Sequence, residues 1–464
     1  MARHQPNHRL ALLLTEADWN PAELARAVNA LGKAQGMSLR YDRTSVAHWL
    51  TGSRPRPPVP DLVAAAFSRR TERLVTAEET GLISPGRAAD DQALPPGTET
   101  DDAAGRLTIL ARTDADPARR SQLTGGVYSL RAVDSPGWNP ERPVPVRPRS
   151  PHSRVTAEEV RALREMCQIF ADLMERHGGG HARSALAAYL TDDTSRLLAA
   201  RADSSLRGQL FSCAAQLTHI LARMTMDAGY PSLAQRYFTT ALGLAQEAGD
   251  SRVYAITLRA MSLQALRLGF LKKAAQLADS AMGAGPVADP STLAFLLSQR
   301  AVTHAHARQG RRAVADLAAA ESHHDRVTRG AGPFDSYPRA GLDYQRGQVL
   351  LALGDREGAA RSFASSAAAR GDDRRRSAAL THARLAATLL SLGRPEESCV
   401  HWNAFLDGYP GLRLAPADEA LVYLRRSLYR YRGLSPVAVV LHRARSVTRT
   451  APAPAKGHRP GPGR

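Results

Sequence analysis

The 464-residue chain is short of cysteine, of aromatic side chains and of long apolar runs, and each shortage removes a class of protein. Its three cysteines, Cys167, Cys213 and Cys399, are odd in number and lack C-x-x-C spacing. That excludes a disulfide scaffold and a zinc module, and fits a reducing cytoplasm. No segment approaches the roughly eighteen apolar residues that span a bilayer. The N-terminal run Leu10 to Leu14 is too short even for the core of a signal peptide. The expectation is a soluble cytoplasmic protein with no membrane partner.

Aromatics make up 5% of the chain against 43% hydrophobics, so the apolar content is mostly Ala and Leu. Such content suits closely packed helices better than sheets rich in β-branched residues, and predicts an all-α fold. Catalytic fingerprints are missing too: there is no G-x-S-x-G, kinase or dinucleotide motif. Gly178-Gly-Gly-His181 lacks the Lys-Ser/Thr of a phosphate loop, and His304 with His306, like His323 with His324, lacks the i, i+4 placement that aims two imidazoles at one metal. The reading is a non-enzyme with no metal and no cofactor.

What is present in excess is positive charge, with 62 Lys and Arg against 44 Asp and Glu and a net charge of +18. This favours polyanionic partners or membrane surfaces. The charge is uneven. Residues 1–73 carry 11 basic and 6 acidic side chains, whereas 74–104 hold Arg87 alone against seven acids around Pro95-Pro96-Gly97; residues 425–464 hold ten basic side chains and no acid. With a second Pro-dense stretch from Pro136 to Pro151, residues 84–152 read as an acidic, Pro-rich linker with little structure. A capping box at Thr156-Ala-Glu-Glu159 then opens a helix whose Val160, Leu163, Cys167, Phe170 and Met174 share one face until Gly178 stops it. A helical-repeat domain is expected over 153–435, and a basic, disordered Pro/Gly/Arg tail over 436–464.

The repeat signal starts from Gly229, Gly269, Gly310, Gly354 and Gly393, which lie 40, 41, 44 and 39 residues apart. Five positions later stand Ala234, Ala274, Ala315, Ala359 and Ser398; seven positions earlier stand Ala222, Ser262, Thr303, Gly347 and Ala386. Small residues at both places let two antiparallel helices meet closely beside a turn that needs positive φ. Nine positions after each glycine, Phe238, Ala278, Ala319, Phe363 and Trp402 fill the core of the second helix, followed at twelve by Ala241, Ala281, Ser322, Ser366 and Phe405. The pattern over roughly 205–410 resembles the tetratricopeptide repeat in a long-loop version, about 40 residues against the usual 34. That resemblance implies a stacked α-solenoid whose first helices line a concave wall. The register puts Gln216, His219, Arg223, Arg259, Arg300, His304, Arg308, Tyr344 and Gln348 on that wall. A basic groove of this kind suits an acidic peptide, a protein segment or a ligand carboxylate.

Ahead of the repeats, Arg9 to Ala17 reads as a helix, and Pro21 opens a second with Leu24, Val28 and Leu31 on one face. Asp42 caps a third, in which Val46, Trp49 and Leu50 form the apolar side while Thr44 and His48 face the opposite way. Leu62 and Phe67 supply further core. Polar side chains flanked by cations suit base edges and phosphates, and the set expected to contact double-stranded DNA is Arg40, Arg43, Thr44, Ser45, His48, Arg54 and Arg56. Residues 1–83 thus read as a helix-turn-helix domain. The stretch from Leu31 to Asp42 exceeds the usual 3–4-residue turn, so either the second helix runs through Ala34 or a loop intrudes.

The stretches "YDRTSVAHWLTGSRPRPPVP", "GGGHARSALAAYL" and "MDAGYPSLAQRYFTTALGLA", with the acidic joint and the repeats, resemble the actinobacterial regulators that join a helix-turn-helix to tetratricopeptide repeats. The resemblance implies control of differentiation or antibiotic production, near the nucleoid. A signal bound in the groove would act through homodimer geometry or through access to the helix-turn-helix. A tetratricopeptide adaptor without DNA affinity is the alternative.

Overall fold

The computed structural model describes residues 5–35, 37–83, 102–124, 126–130, 137–139, 150–285, 289–326 and 337–447. The N-terminal unit consists of α1 (His8–Glu16), α2 (Pro21–Ala34), α3 (Arg43–Leu50) and α4 (Val59–Thr71). Asn20 caps α2 by accepting from the Glu23 amide while the Glu23 carboxylate accepts from the Asn20 amide, and Pro21 occupies the first helical position. Leu10, Leu24, Val28, Val46, Leu62 and Phe67 are fully buried between the helices. Each such side chain stabilises the fold by about 1.5–3 kcal/mol. Residues 72–83 fold back over this core: the Asn7 side-chain amide donates to the Thr80 carbonyl at 2.9 Å, and Arg73 bridges Glu16 at 2.7 Å and Glu79 at 2.9 Å.

Within 84–152 the expected linker is corrected where the structure describes it. Residues 102–124 form α5 (Ala103–Ala115) and α6 (Pro117–Thr124), and α5 buries Leu107, Leu110 and Ala111. Asp114, also buried, holds the helix in place. Its carboxylate accepts from Arg183 at 2.6 Å and from the Tyr237 hydroxyl at 2.8 Å. A buried carboxylate is costly unless paired and hydrogen-bonded, and both partners come from distant segments. Residues 84–101 lie outside the described residues.

Next come β1 (Ser150–Arg154), α7 (Ala157–His177), α8 (Arg183–Tyr189), α9 (Ser195–Ala199) and β2 (Ala200–Arg201), which pairs in parallel with β1. This two-stranded ribbon is the only sheet among the described residues. Helix α7 buries Val160, Leu163, Cys167, Phe170 and Met174, the stripe its sequence shows.

Five helical hairpins follow: α10 (Ser204–Asp227) with α11 (Pro231–Ala248), α12 (Ser251–Arg267) with α13 (Leu271–Met282), α14 (Pro290–His306) with α15 (Gly310–His324), α16 (Arg339–Leu353) with α17 (Arg356–Ala368), and α18 (Arg375–Ser391) with α19 (Pro395–Gly408). Each packs on the next, giving an all-α, tetratricopeptide-like solenoid. Gly229, Gly269, Gly354 and Gly393 take positive φ at the hairpin turns as expected, but in the third hairpin Arg308 takes it, with φ 60°, and Gly310 is the first residue of α15. The register there shifts by two. Ala313, Leu317 and Ala320 occupy the buried positions that the sequence reading gave to Ala315, Ala319 and Ser322, and Ala315 and Ser322 are exposed; on α14 Thr303 is buried as expected, together with Ala301.

Two more helices, α20 (Ala415–Leu428) and α21 (Ser435–Ser446), finish the described chain. Helix α21 buries Val437, Val440, Leu441 and Ala444 against α19 and α20, so the expected tail does not begin at 436. Residues 448–464 lie outside the described residues. The two ends of the solenoid meet: the Gly180 amide donates to the Arg413 carbonyl at 2.9 Å, and the Arg413 amide donates to the His177 carbonyl at 2.8 Å. Among the described residues no helix is long and apolar enough to cross a membrane.

Candidate functional sites: the α3 face and the arginine cluster

Helix α3 is set by its first turn. Asp42 Oδ1 accepts from the Ser45 amide at 2.8 Å and from the Ser45 hydroxyl at 2.7 Å. These bonds hold the exposed Asp42 carboxyl below its ordinary value. Val46 and Trp49 anchor the inner side, and Tyr41 packs edge-on against Trp49 at 5.1 Å. Both alternatives for residues 31–42 are realised: α2 runs through Ala34, and an extended segment then returns along it. Asn29 clamps that segment, its side chain donating to the Tyr41 carbonyl at 2.7 Å and accepting from the Tyr41 amide at 2.9 Å.

Arg40, Arg43, Thr44, His48, Arg54 and Arg56 are all exposed, on α3 or at its two ends. Ser45 is half-buried and its hydroxyl is engaged in the cap. The unit is docked on the repeats through residues 126–130. Tyr128 is buried, stacks on Phe270 at 5.4 Å, and donates its amide to Gln35 at 3.1 Å, while the Ser129 amide donates to Gln235 at 2.9 Å. One contiguous core therefore runs from Leu10 through Tyr128 to Phe270.

The expected groove wall is rearranged. His219 is 2% exposed, contacts the Thr257 hydroxyl at 3.1 Å, and burial pushes its imidazole well below the ordinary value. Arg259 is 8% exposed; its guanidinium lies 3.5 Å above the Phe295 ring and donates to the Phe295 carbonyl, and burial lowers it to about 9. Neither reaches an open groove. Arg300 is paired with Asp316 of its own hairpin at 2.7 Å, with His304 3.5 Å from the same carboxylate, and Arg308 sits in the turn. These three follow from the register shift, since two residues rotate a helix position by about 200°. Gln216, Arg223, Tyr344 and Gln348 are half-buried. Of these, Gln216 bonds to Ser212 and Tyr344 packs on Phe363.

Arg223 and Tyr344 meet residues that the sequence reading did not single out. Arg376, from the first turn of α18, grips Asp227 at the end of α10 with bonds of 2.5 and 2.8 Å, and lies 3.5 Å from Glu175 of α7. Glu175 also accepts from the Ser377 hydroxyl at 2.6 Å and lies 3.9 Å from Arg223. Burial works to raise the Glu175 and Asp227 carboxyls, but the arginines, Arg376 foremost, outweigh it and hold both below the ordinary carboxylate range. Arg267 and Arg370 complete the cluster, both within electrostatic reach of Arg376 and Tyr344. Burial lowers the guanidinium values of Arg223 and Arg370, while Arg267 is exposed. Four guanidiniums around two carboxylates leave a net positive cluster where α7, α10 and α18 meet. Among the described residues no group of three or more His, Cys, Asp or Glu is arranged to hold a metal ion.

Comparisons with known proteins bear on these regions unequally. The family model described as the SP15 N-terminal domain matches residues 10–83, the span of α1 to α4 and the segment folded against them. No curated protein matches the chain. Among solved structures the chain is similar to one from the crystal structure of the APC/C hetero-tetramer Cut9-Hcn1, at 15% identity and a TM-score of 0.34, covering 93% of this chain and 68% of that one.

Proposed function

We propose that the protein is a DNA-binding regulator in which α3 enters the major groove and the helical-repeat body receives a peptide, protein or anionic ligand at its arginine cluster. The observation that carries the reading is the outer side of α3, where Thr44 and His48 are exposed between Arg40 and Arg43 at one end and Arg54 and Arg56 at the other. A helix of eight residues is about 12 Å long, the width of the groove it would enter. The short side chains suit base edges and the guanidiniums suit phosphates. The reading includes the resemblance to actinobacterial regulators, a place near the nucleoid, action as a homodimer and the lack of a catalytic role.

The test is binding of the full chain to a randomised duplex pool at low salt. Affinity should fall steeply as salt rises; His48→Ala should relax sequence preference, and Arg54→Ala should weaken all sequences alike. Equal behaviour of the two variants removes the base-reading role, and no binding to any duplex overturns the proposal. The connection from Gln35 to Asp42, longer than the tight turn of the helix-turn-helix, favours a second reading as a protein-binding adaptor. That reading expects partner capture through the body with no DNA affinity.

A further inference from the structure

The charge of the chain is most concentrated far from α3. Residues 425–464 carry ten basic side chains and no carboxylate, so one twelfth of the chain holds more than half of the net +18. The described part of this stretch is the end of α20, the turn after it and α21. Both helices commit their apolar sides to the solenoid, burying Leu421, Leu424 and Leu428 on α20 and Val437, Val440 and Leu441 on α21. Their outer sides are therefore fixed by packing rather than free to roll.

On the outer side of α20 and its turn, Val422, Tyr423, Arg426, Tyr429 and Arg430 are exposed at three- and four-residue spacing. Arg432 is exposed in the turn and Arg445 on α21. Two other arginines of the region have structural roles: Arg425 donates to the Ala444 carbonyl and Arg443 to Asn403 and Asp407. Arg426, Arg430, Arg432 and Arg445 form no ion pair among the described residues. Two of them lie against tyrosine rings, Arg430 at 4.7 Å from Tyr431 and Arg432 at 4.6 Å from Tyr429. Arg432 Nη1 also donates to the Tyr429 carbonyl at 3.4 Å; stacking holds a guanidinium plane in place while leaving its other edge donors to an incoming oxyanion.

We propose that this outer side of α20 and α21 is a second nucleic-acid surface, which takes the phosphate backbone of duplex DNA without reading its sequence. Val422, Tyr423, Tyr429, Leu434 and Val439 are also exposed here, but the main apolar sides of both helices are committed to the solenoid, and guanidiniums set beside tyrosine rings favour nucleic acid over a lipid surface. Planar guanidiniums on a rigid helical cap suit phosphates spaced along a duplex. The surface stands apart from α3, so it holds whether or not α3 reads bases.

The experiment measures full-chain binding to a 30-base-pair duplex of arbitrary sequence by fluorescence anisotropy from about 50 to 200 mM salt. The parent is compared with R426A/R430A/R432A/R445A and with R43A/H48A. At about 0.9 per phosphate contact, loss of four contacts should lower the slope of log affinity against log salt by about 3 to 4. The corresponding quadruple Arg-to-Lys variant should restore the slope, because the counterion effect follows charge. An unchanged slope in a folded alanine variant, judged by its helical circular dichroism, overturns the proposal. So does a larger loss of binding to phosphatidylserine vesicles than to DNA, which would assign the surface to membranes. If R43A/H48A leaves DNA binding intact while the C-terminal variant lowers it, the α3 reading fails and this one stands; the reverse result fails this one alone.

Discussion

The closure of the solenoid can be tested through Arg376. Asp227 is 0% exposed and Arg376 7%, and the two share bonds of 2.5 and 2.8 Å across 149 residues of chain. Replacing Arg376 with Met keeps much of the stem but leaves the Asp227 carboxylate buried without its partner and removes one of two cations beside Glu175. Bonds to charged groups contribute about 1.5–3 kcal/mol each, and breaking a buried pair by deleting one member costs about 3–5 kcal/mol. Against a typical total of about 5–15 kcal/mol, the Arg376→Met protein should unfold at clearly lower urea. Because the clasp joins α18 to α10, amide exchange should accelerate on both helices while α3 and α4 keep their protection. Adding Asp227→Asn should recover part of the loss, since no charge is then stranded, and a double-mutant cycle should return a coupling above about 1 kcal/mol. A loss below about 1 kcal/mol in the single variant, or a cycle that closes additively, refutes the idea that this pair holds the ends together.

Three further outcomes follow from the same geometry. Burial holds the His219 imidazole far below its ordinary value, so the unfolded chain binds the extra proton first. Stability present above about pH 6.5 should therefore fall as pH drops below it, by up to about 1.4 kcal/mol per pH unit, and His219→Gln should flatten that part of the denaturation profile relative to the parent. Arg308 holds φ 60° at an exposed turn. Relief of about 1–2 kcal/mol of left-handed strain, less the greater unfolded freedom of glycine, should make Arg308→Gly more stable by about 0.5–1 kcal/mol, and an unmoved thermal midpoint counts against strain there. A Cβ at Gly347 would stand 2.5 Å from Phe363 Cε1, so Gly347→Ala should cost about 1–3 kcal/mol by overpacking between α16 and α17; a neutral thermal shift would mean that the ring can move aside.

What could be read from the sequence was local, and what could not was either long-range or hidden by a substitution at one turn. The stripe on α7, the opening of α2 at Pro21, the cap at Asp42, and the outward aim of Thr44 and His48 each depend on residues within one or two turns, and all appear in the structure as expected. Helix α5 was missed because its anchor, Asp114, becomes reasonable only once Arg183 and Tyr237 arrive from 69 and 123 residues away. Arg376 carried no signal either, since its partner Asp227 lies eight helices earlier in the solenoid. The third hairpin failed differently. Glycine marks the left-handed turn in the other four hairpins, but Arg308 bears that strain in the third, and a nearby glycine two residues on drew the register to itself. Small residues then fell close enough to their expected places for the error to pass unnoticed in the core. On the wall it was decisive, because the added rotation turned Arg300 and His304 from the expected groove toward Asp316. A repeat register set on burial, with Ala313 and Ala320 in place of Ala315 and Ser322, would have left the third hairpin without a basic contribution to the wall and moved the expected positive site to the seam where Arg223, Arg267, Arg370 and Arg376 converge.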